Sequence, residues 1–214
     1  MRGVFVTFEG CDGSGKSTQI HRVSKQLTAM GVDVCVTREP GGTPFGEIVR
    51  SVLLDPAGPD RTALAEVFMY SAARAEIVAE VIRPALERGE VVLAERFYDS
   101  TTVYQGYAGG IPISDIEAIN RISTSGLAPD LTFVLDIHDP QVFHARLSPK
   151  KKDKIESRAD EYHLKVRQGY REIAARYPER TRLIDASLPV EEVTRLIMAG
   201  ISHLMEQRKR GEVF

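Results

Sequence analysis

The residues at positions 10–17 read Gly-Cys-Asp-Gly-Ser-Gly-Lys-Ser, and they join an apolar run at 4–8 to a segment with helical periodicity. A G-x-x-x-x-G-K-S pattern between a strand and a helix is typical of a phosphate-binding loop. Backbone N–H groups of such a loop surround a phosphate, and the positive end of the helix faces the same anion. We therefore expect Lys16 to contact the β- and γ-phosphates of a nucleoside triphosphate, and the Ser17 hydroxyl to bind its Mg²⁺.

The phosphate loop predicts a ligand but not a reaction. A glycine-rich turn that binds nothing is the alternative, although strand, loop, lysine and helix follow each other in the order that a phosphate loop needs. ATPases, GTPases, helicases and kinases share this loop, so other residues must identify the chemistry. The residues expected to contact ATP here are Gly10, Cys11, Asp12, Gly13, Ser14, Gly15, Lys16, Ser17 and Thr18.

The rest of the chain alternates short apolar runs with longer segments of helical period. We predict strands at 4–8, 32–37, 91–94, 131–136 and 181–184, and helices near 16–30, 44–54, 62–88, 98–107, 114–125, 139–147, 158–177 and 189–208. This order predicts a three-layer α/β fold, a five-stranded parallel sheet flanked by helices, as a single domain over 1–214. Ser114 and Glu117 have the spacing of a helix capping box.

Composition excludes several classes of protein. A net charge of −2 provides no basic field, so nucleic acid is not an expected partner. No apolar run approaches the roughly 18 residues of a membrane-spanning helix, and no signal peptide is evident, so we expect a cytoplasmic protein without a membrane partner. The two cysteines and five histidines lack the spacing of a disulfide framework or a zinc site, so any metal should arrive with the nucleotide.

Two polar clusters follow the second and third predicted strands. Thr-Arg-Glu-Pro-Gly-Gly-Thr occupies 37–43, and Glu-Arg-Phe-Tyr-Asp-Ser occupies 95–100. The carboxyl ends of parallel strands form the ligand crevice of an open α/β sheet, so both clusters should meet the phosphate loop there. Arg38 and Arg96 then suggest a second substrate that carries a phosphate. The alternative is that each arginine forms a structural ion pair with Glu39 or Glu95.

At this point the chain resembles the thymidylate kinase family, whose members transfer the γ-phosphoryl group of ATP to dTMP. The resemblance covers nearly the whole chain and rests on an ordered set of motifs: FEGCDGSGKST, TREPGGT, YSAAR, ERFYDSTTVYQG, APDLTFVLDI and LIDAS. It implies a P-loop NTPase fold, Mg²⁺ with ATP, and a homodimer packed through helices. It also implies a mobile lid over ATP at about 148–158.

The resemblance assigns roles in dTMP binding residue by residue. Arg38 and Arg96 hold the dTMP phosphate, and Asp12 approaches the 3′-hydroxyl. Tyr70 stacks on thymine, and Arg74 reaches its O4 edge. These two residues are four apart, so a helix places them on one face, although a core tyrosine with a snorkelling arginine has the same spacing. The full predicted set is Asp12, Arg38, Glu39, Pro40, Tyr70, Arg74, Arg96, Ser100, Tyr104 and Gln105.

On the ATP side the chain departs from the family pattern. Gly13 stands where some members carry a phosphate-loop arginine, so the cation that covers the transferring group should come from the lid. Lys154 occupies the place of the lid arginine and is our leading candidate. Glu95 stands where the family usually has aspartate, and we expect it to share Mg²⁺ with Ser17. The predicted catalytic residues are Lys16, Arg38, Glu95, Arg96 and Lys154, and Arg146 is expected to flank adenine.

Three rival functions remain open. A kinase for another monophosphate or for a deoxynucleoside is the nearest, and Arg74 together with the single short lid favours thymidylate. A GTPase-like switch needs an Asn/Thr-Lys-x-Asp string, whereas positions 150–153 read Lys-Lys-Lys-Asp. A non-catalytic interaction protein is disfavoured because the lysine and serine of the phosphate loop are intact.

Overall fold

The computed structural model describes residues 2–137, 153–155, 157–158 and 160–210. One sheet runs in the order β2-β3-β1-β4-β5, and all paired strands are parallel. The strands are β1 (Val4–Glu9), β2 (Val34–Arg38), β3 (Val91–Glu95), β4 (Leu131–Asp136) and β5 (Thr181–Asp185). The described helices are α1 (Lys16–Ala29), α2 (Pro44–Leu54), α3 (Ala63–Ile77), α4 (Arg83–Glu87), α5 (Tyr98–Thr101), α6 (Ile113–Ser123), α7 (Asp160–Arg176) and α8 (Val190–Lys209). The predicted helix at 139–147 lies outside the described residues.

Helices cover both faces of the sheet. Side chains alternate along a strand, so Phe5 and Phe8 of β1 point to opposite faces. Phe8 packs beside Phe133 among apolar side chains of α1 and α8. On the other face Phe5 meets Phe97 edge to face, with ring centroids 4.9 Å apart, next to Ile77 of α3. Every residue of β1 and β4 is buried, as expected for central strands of a parallel sheet. The predicted α/β fold with a five-stranded parallel sheet is confirmed.

Two predicted helices contain π-helical turns. The helix predicted at 62–88 consists of α3, a π-helical segment Val78–Ile82 and α4. The helix predicted at 98–107 begins as α5 and continues as a π-helical segment, Thr102–Tyr107. Such segments are rare and often lie at functional sites, because the extra residue in the turn re-aims the side chains that follow. The second segment carries Tyr104 and Gln105, both predicted to contact dTMP.

The predicted capping box at the start of α6 does not form. The helix begins at Ile113 with Pro112 as its N-cap, so Ser114 already lies inside the first turn. Glu117 instead accepts a hydrogen bond from Tyr177 at 2.7 Å. Over the parts of the chain that the structure covers, no helix is long and apolar enough to cross a membrane.

Candidate active site

A cavity of about 400 Å³ opens at the carboxyl edge of the sheet. It is lined by all ten residues predicted to bind dTMP and by both predicted metal ligands. The lining comprises Asp12, Ser17, Arg38, Glu39, Pro40, Arg50, Leu54, Tyr70, Arg74, Glu95, Arg96, Phe97, Ser100, Thr101, Tyr104, Gln105, Asp153 and Ile155. A second cavity of about 290 Å³ beside Arg180 contains none of the predicted residues.

The phosphate loop is held in a backbone conformation that only glycine adopts readily. Gly10 has φ of 129°, and a Cβ atom there would lie 2.4 Å from the carbonyl oxygen of Leu135. Gly15 has φ of 92° and directly precedes α1. Both values lie in the region that L side chains avoid. The loop therefore passes closely over β4 and presents the N-terminus of α1 to the cavity edge.

Lys16 is buried in the phosphate loop, with 3% of its surface exposed. Its Nζ donates to the carbonyl oxygens of Gly10 at 3.1 Å and Cys11 at 2.8 Å. Burial and the charge of Arg96 lower the pKa of Lys16 to about 8, against the opposing effect of Asp12. A phosphate bound in the loop would favour the charged ammonium, because a nearby opposite charge raises the pKa of an amine.

Ser17 and Glu95 form a pair of oxygen groups suited to a hard cation. The Ser17 hydroxyl donates to Glu95 Oε2 at 2.8 Å. Mg²⁺ prefers oxygen ligands, and it usually keeps waters and phosphate oxygens besides one or two protein groups. Within the described ranges, no group of three or more His, Cys, Asp or Glu side chains could hold a metal ion. The pair fits a metal that arrives with a nucleotide.

Arg96 is constrained both by its backbone and by several hydrogen bonds of its side chain. Its backbone has φ of 67°, which is unusual for a residue other than glycine, and such strained positions cluster at functional sites. Its Nη1 donates to Gly10 O at 3.0 Å, Ser100 Oγ at 3.2 Å and Tyr170 OH at 2.9 Å. Its Nη2 donates to Asp12 Oδ1 at 2.7 Å. The guanidinium is thus held in one orientation at the cavity wall.

Two carboxyl groups near Arg96 titrate in opposite directions. Burial alone would raise the pKa of Asp12, but Arg96 and Lys16 outweigh it and lower that pKa to about 2. Burial and the charge of Asp99 raise the pKa of Glu9 to about 7, although Arg96 opposes them. Arg96 therefore lies between Asp12 at the cavity, which is firmly ionised, and the buried Glu9 behind it, which titrates near neutrality.

Glu9 had no predicted role, yet it organises the wall behind Arg96. Its Oε1 accepts from the backbone N–H of Phe97 at 2.7 Å, and its Oε2 accepts from Ser100 Oγ at 2.6 Å and Tyr170 OH at 3.0 Å. The carboxyl group thereby ties the end of β1 to α5 and α7. Its position at the carboxyl end of a buried strand was the signal that could have identified it.

Arg38 lies at the end of β2, beside Glu95 in the register of the sheet. Neither structural pairing considered from the sequence occurs, because Arg38 Nη2 contacts Glu47 Oε1 at 2.8 Å rather than Glu39 or Glu95. The same carboxylate oxygen accepts from the backbone N–H of Gly42 at 2.9 Å. About half of the Arg38 side chain, 51%, is exposed, so this pair is weak and the guanidinium can be recruited by a ligand.

Arg74 lines the cavity but is otherwise enclosed. It forms an ion pair with Glu39, with 1% and 4% of the two side chains exposed. Its Nε and Nη2 donate to Glu39 Oε2 at 2.9 and 2.8 Å, Nη2 also to Thr101 Oγ1 at 2.9 Å, and Nη1 to Asn120 Oδ1 at 3.1 Å. Burial raises the pKa of Glu39 even beside this partner. Among described residues these bonds use all but one of the five N–H groups of a guanidinium.

The nucleoside part of the predicted site also lines the cavity. Tyr70 lies one turn before Arg74 on α3. The Arg96 guanidinium lies 5.2 Å from the ring centroid of Tyr104, whose OH accepts from Arg96 Nη2 at 3.3 Å. Gln105 Nε2 donates to Glu66 Oε2 at 3.1 Å. The structure therefore brings together the predicted aromatic, cationic and amide side chains.

The described part of the predicted lid lies against a neighbouring loop. Lys154 Nζ donates to the carbonyl oxygens of Gly58 at 2.5 Å and Pro59 at 2.9 Å, and it lies 3.1 Å from Asp60 Oδ1. Among residues 153–155, Asp153 and Ile155 line the cavity while Lys154 does not. Arg146 and residues 148–152 lie outside the described residues.

Several further residues of the site were not predicted from the sequence, among them Glu47, Arg50, Glu66 and Tyr170. Arg50 lines the cavity and donates from Nη1 to Pro40 O at 2.9 Å. Their side chains act from helices, where an isolated charged or aromatic residue has no distinguishing pattern. Only the packing of α2, α3 and α7 against the strand ends reveals them.

Comparison with known proteins points to one family. A family model for thymidylate kinase matches residues 8–197. The chain is 47% identical over 208 residues to a thymidylate kinase of Symbiobacterium thermophilum, covering 97% of each chain. It is 48% identical over 188 residues to one of Pelotomaculum thermopropionicum, covering 87% of each. A crystal structure of thymidylate kinase from Ehrlichia chaffeensis superposes with a TM-score of 0.76 at 33% identity, covering 94% of this chain and 99% of that one.

Proposed function

The chain belongs to the thymidylate kinase family, and we propose that its cavity at the carboxyl edge of the sheet is where the γ-phosphoryl group of ATP passes to dTMP. As a member of that family the chain is an ATP-dependent kinase that produces dTDP. One observation carries the placement of the reaction. The phosphate loop, Arg38 and Arg96 follow three adjacent strands and reach the same cavity edge. A donor phosphate in the loop and an acceptor phosphate on the arginines would therefore lie side by side.

The reaction needs positioning more than proton transfer. A phosphate oxygen of dTMP attacks the γ-phosphorus of ATP in line, the new P–O bond forms, and the bond to the β–γ bridging oxygen breaks to release ADP. A phosphate monoester has a second pKa of about 6 and is already mostly dianionic at neutral pH, so no general base is required. The protein therefore has to align two anions and neutralise the charge that spreads between them.

On the donor side, we assign Lys16 to the β- and γ-phosphates. Its ammonium now binds loop carbonyls, and it would exchange them for phosphate oxygens without leaving the loop. Ser17 and Glu95 are the residues that would hold Mg²⁺, which neutralises phosphate charge when bound. Lys16→Ala should lower kcat by at least about 10²-fold, the cost of losing one preorganised charge contact. Activity within a few-fold of the unchanged protein would remove Lys16 from the donor site.

On the acceptor side, we assign the dTMP phosphate to Arg96 and Arg38. Arg96 is already oriented by Ser100, Tyr170 and Asp12, so little conformational freedom is lost when the phosphate binds. The phosphate would replace Asp12 on Nη2, which leaves that carboxylate to accept from the 3′-hydroxyl of the sugar. Arg38 needs only to exchange one exposed contact with Glu47.

For the thymine base, we assign stacking to Tyr70 and edge recognition to Arg74. A helix places both on one face, and both line the cavity. The remaining N–H of Arg74 Nη1 would donate to the O4 acceptor of thymine. Cytosine presents an amino group at the same position, and two donors facing each other would be rejected.

We further propose that Lys154 leaves the carbonyl oxygens of Gly58 and Pro59 to reach the transferring phosphoryl group. The phosphate loop itself carries Gly13 where a cation would otherwise stand. Lys154→Ala should then depress kcat more than dTMP affinity, whereas Lys154→Arg should retain or improve the rate because a guanidinium can bridge two phosphate oxygens. Single-turnover rates measure this directly. If alanine at 150, 151, 152, 154 and 158 lowered the single-turnover rate equally and only slightly, no single lid residue would contact the phosphoryl group. The lid would then contribute only through its overall charge.

A homodimer is the assembly we propose. α2 and α3 pack against each other and expose an apolar stripe of Phe45, Ile48, Val52, Leu64 and Phe68, whose exposed fractions lie between 44% and 64%. Patches of this kind on a soluble chain commonly mark a protein interface. Ile48→Arg should convert the protein to a monomer in sedimentation velocity. A monomeric unchanged protein, or a dimer that Ile48→Arg leaves intact, would contradict this interface.

A coupled assay of ADP release tests the function. Purified protein with ATP should phosphorylate dTMP in preference to dCMP, dGMP and AMP. Equal or faster turnover of any of these three would overturn the assignment of the acceptor.

A further inference from the structure

Glu66 of α3 is a buried carboxylate with no role in the proposed chemistry. Only 1% of its side chain is exposed. Its Oε1 accepts from Arg158 Nη2 at 2.5 Å and lies 3.5 Å from Arg61 Nε. Its Oε2 accepts from Gln105 Nε2 at 3.1 Å. The two guanidiniums hold one oxygen of the carboxylate, and the other faces the amide of a residue that lines the cavity.

This arrangement dictates which way the Gln105 amide points. A carboxylate flanked by two guanidiniums can only accept hydrogen bonds, so it must meet the NH₂ group of the amide and not its carbonyl oxygen. The amide orientation is usually assigned from the hydrogen-bond network, and here only one choice is chemically possible. Gln105 Oε1 consequently points away from Glu66, and it has no hydrogen-bond partner among the described residues.

We propose that Glu66 is a positioning residue for base specificity: it fixes Gln105 Oε1 as an acceptor for the N3–H of thymine. This inference rests on the proposed placement of dTMP in the cavity. Thymine presents an acceptor at O4 and a donor at N3, whereas cytosine presents a donor at its amino group and an acceptor at N3. Arg74 offers a donor and Gln105 an acceptor, so the pair complements thymine at both positions and opposes cytosine at both.

A general loosening of the site would weaken discrimination against both dCMP and dUMP, whereas the role proposed for Glu66 concerns dCMP alone. Uracil has the same O4 and N3–H groups as thymine and lacks only the 5-methyl group. Glu66 should therefore govern the ratio of kcat/KM for dTMP over dCMP, and it should not affect the ratio for dTMP over dUMP. Only a residue that acts through the polarity of the base edge has this signature.

Glu66→Gln tests the idea, because an amide at this position can donate or accept and no longer fixes the Gln105 orientation. We expect the dTMP:dCMP ratio of kcat/KM to fall about tenfold, the scale of one hydrogen bond in a binding site. The dTMP:dUMP ratio and KM for ATP should stay within about twofold. Glu161→Gln is the matched control, since Glu161 is exposed and its ion pair with Lys165, at 2.9 Å, lies on the surface of α7.

A measurement on the unchanged protein decides the matter if Glu66→Gln fails to fold. A neutron crystal structure of the complex with dTMP should place both amide deuterons of Gln105 on the atom that faces Glu66, and should leave the atom that faces thymine N3 without deuterium. Amide deuterons on the atom that faces thymine N3, or an unchanged dTMP:dCMP ratio in folded Glu66→Gln, would overturn the proposal. The proposed function fails separately, namely if the unchanged protein itself shows no preference for dTMP over dCMP.

Discussion

Replacing Glu39 by glutamine should destabilise the protein strongly, because it leaves the Arg74 charge buried without its counter-ion. The two side chains are 4% and 1% exposed, and two hydrogen bonds join them. Removing one partner of a buried pair costs about 3–5 kcal/mol, since the remaining charge is uncompensated. Thr101 and Asn120 still accept from Arg74, so we expect the lower end, about 3 kcal/mol. For a chain of this size that corresponds to a fall in Tm of about 6–12 °C.

Urea unfolding of Glu39→Gln, with Glu161→Gln as the control, measures this cost. The control removes an exposed ion pair, which is screened by solvent, so the free energy of unfolding should stay almost unchanged. Combining Glu39→Gln with Arg74→Met removes both charges, so the double variant should lose less stability than the sum of the single variants. Equal losses in Glu39→Gln and Glu161→Gln, or strict additivity in the double variant, would refute the reasoning.

Three further predictions concern the phosphate loop and the wall behind Arg96. Gly10→Ala places a Cβ atom 2.4 Å from Leu135 O, so kcat/KM for ATP should fall about 10²-fold, and a loss within about twofold would count against the loop geometry. Burial raises the pKa of Glu9 from 4.5 to about 7, so the folded state binds more protons in that range and its stability should fall as pH rises from 4.5 to 7. Urea titrations at each pH should show that Glu9→Gln weakens the dependence of the free energy of unfolding on pH. An unchanged pH dependence would mean that other groups cause it. Tyr170→Phe removes a hydrogen bond to Arg96, so KM for dTMP should rise about tenfold with KM for ATP unchanged, whereas equal rises in both would indicate general damage.

The sequence was sufficient to predict the strands of the sheet and the polar clusters that meet at the cavity edge. Each strand is a short apolar run whose pattern depends on its own residues, so the predicted strand at 131–136 coincides with Leu131–Asp136. The two clusters that follow β2 and β3 had to meet the phosphate loop, because parallel strands end at one edge. The register of the sheet, with Arg38 beside Glu95 and Glu95 beside Phe8, follows that expectation.

The partners of these residues depend on contacts that no local pattern encodes. Glu9 and Tyr170 share a hydrogen bond although they are 161 positions apart. The capping box failed for the same reason, since Glu117 bonds to Tyr177 across 60 positions. Periodicity predicted a regular helix around Gln105, whereas the structure has a π-helical segment over Thr102–Tyr107. The sequence therefore predicted that the residues at the strand ends meet at one edge of the sheet, but it did not predict which side chains orient them.

A crystal structure with dTMP is the most direct test of the central claim, that this cavity is the acceptor site. We predict the dTMP phosphate within hydrogen-bond distance of Arg96 and Arg38, with thymine on Tyr70 and its O4 facing Arg74. Binding of dTMP in the second cavity beside Arg180, or with its phosphate away from both arginines, would contradict the account.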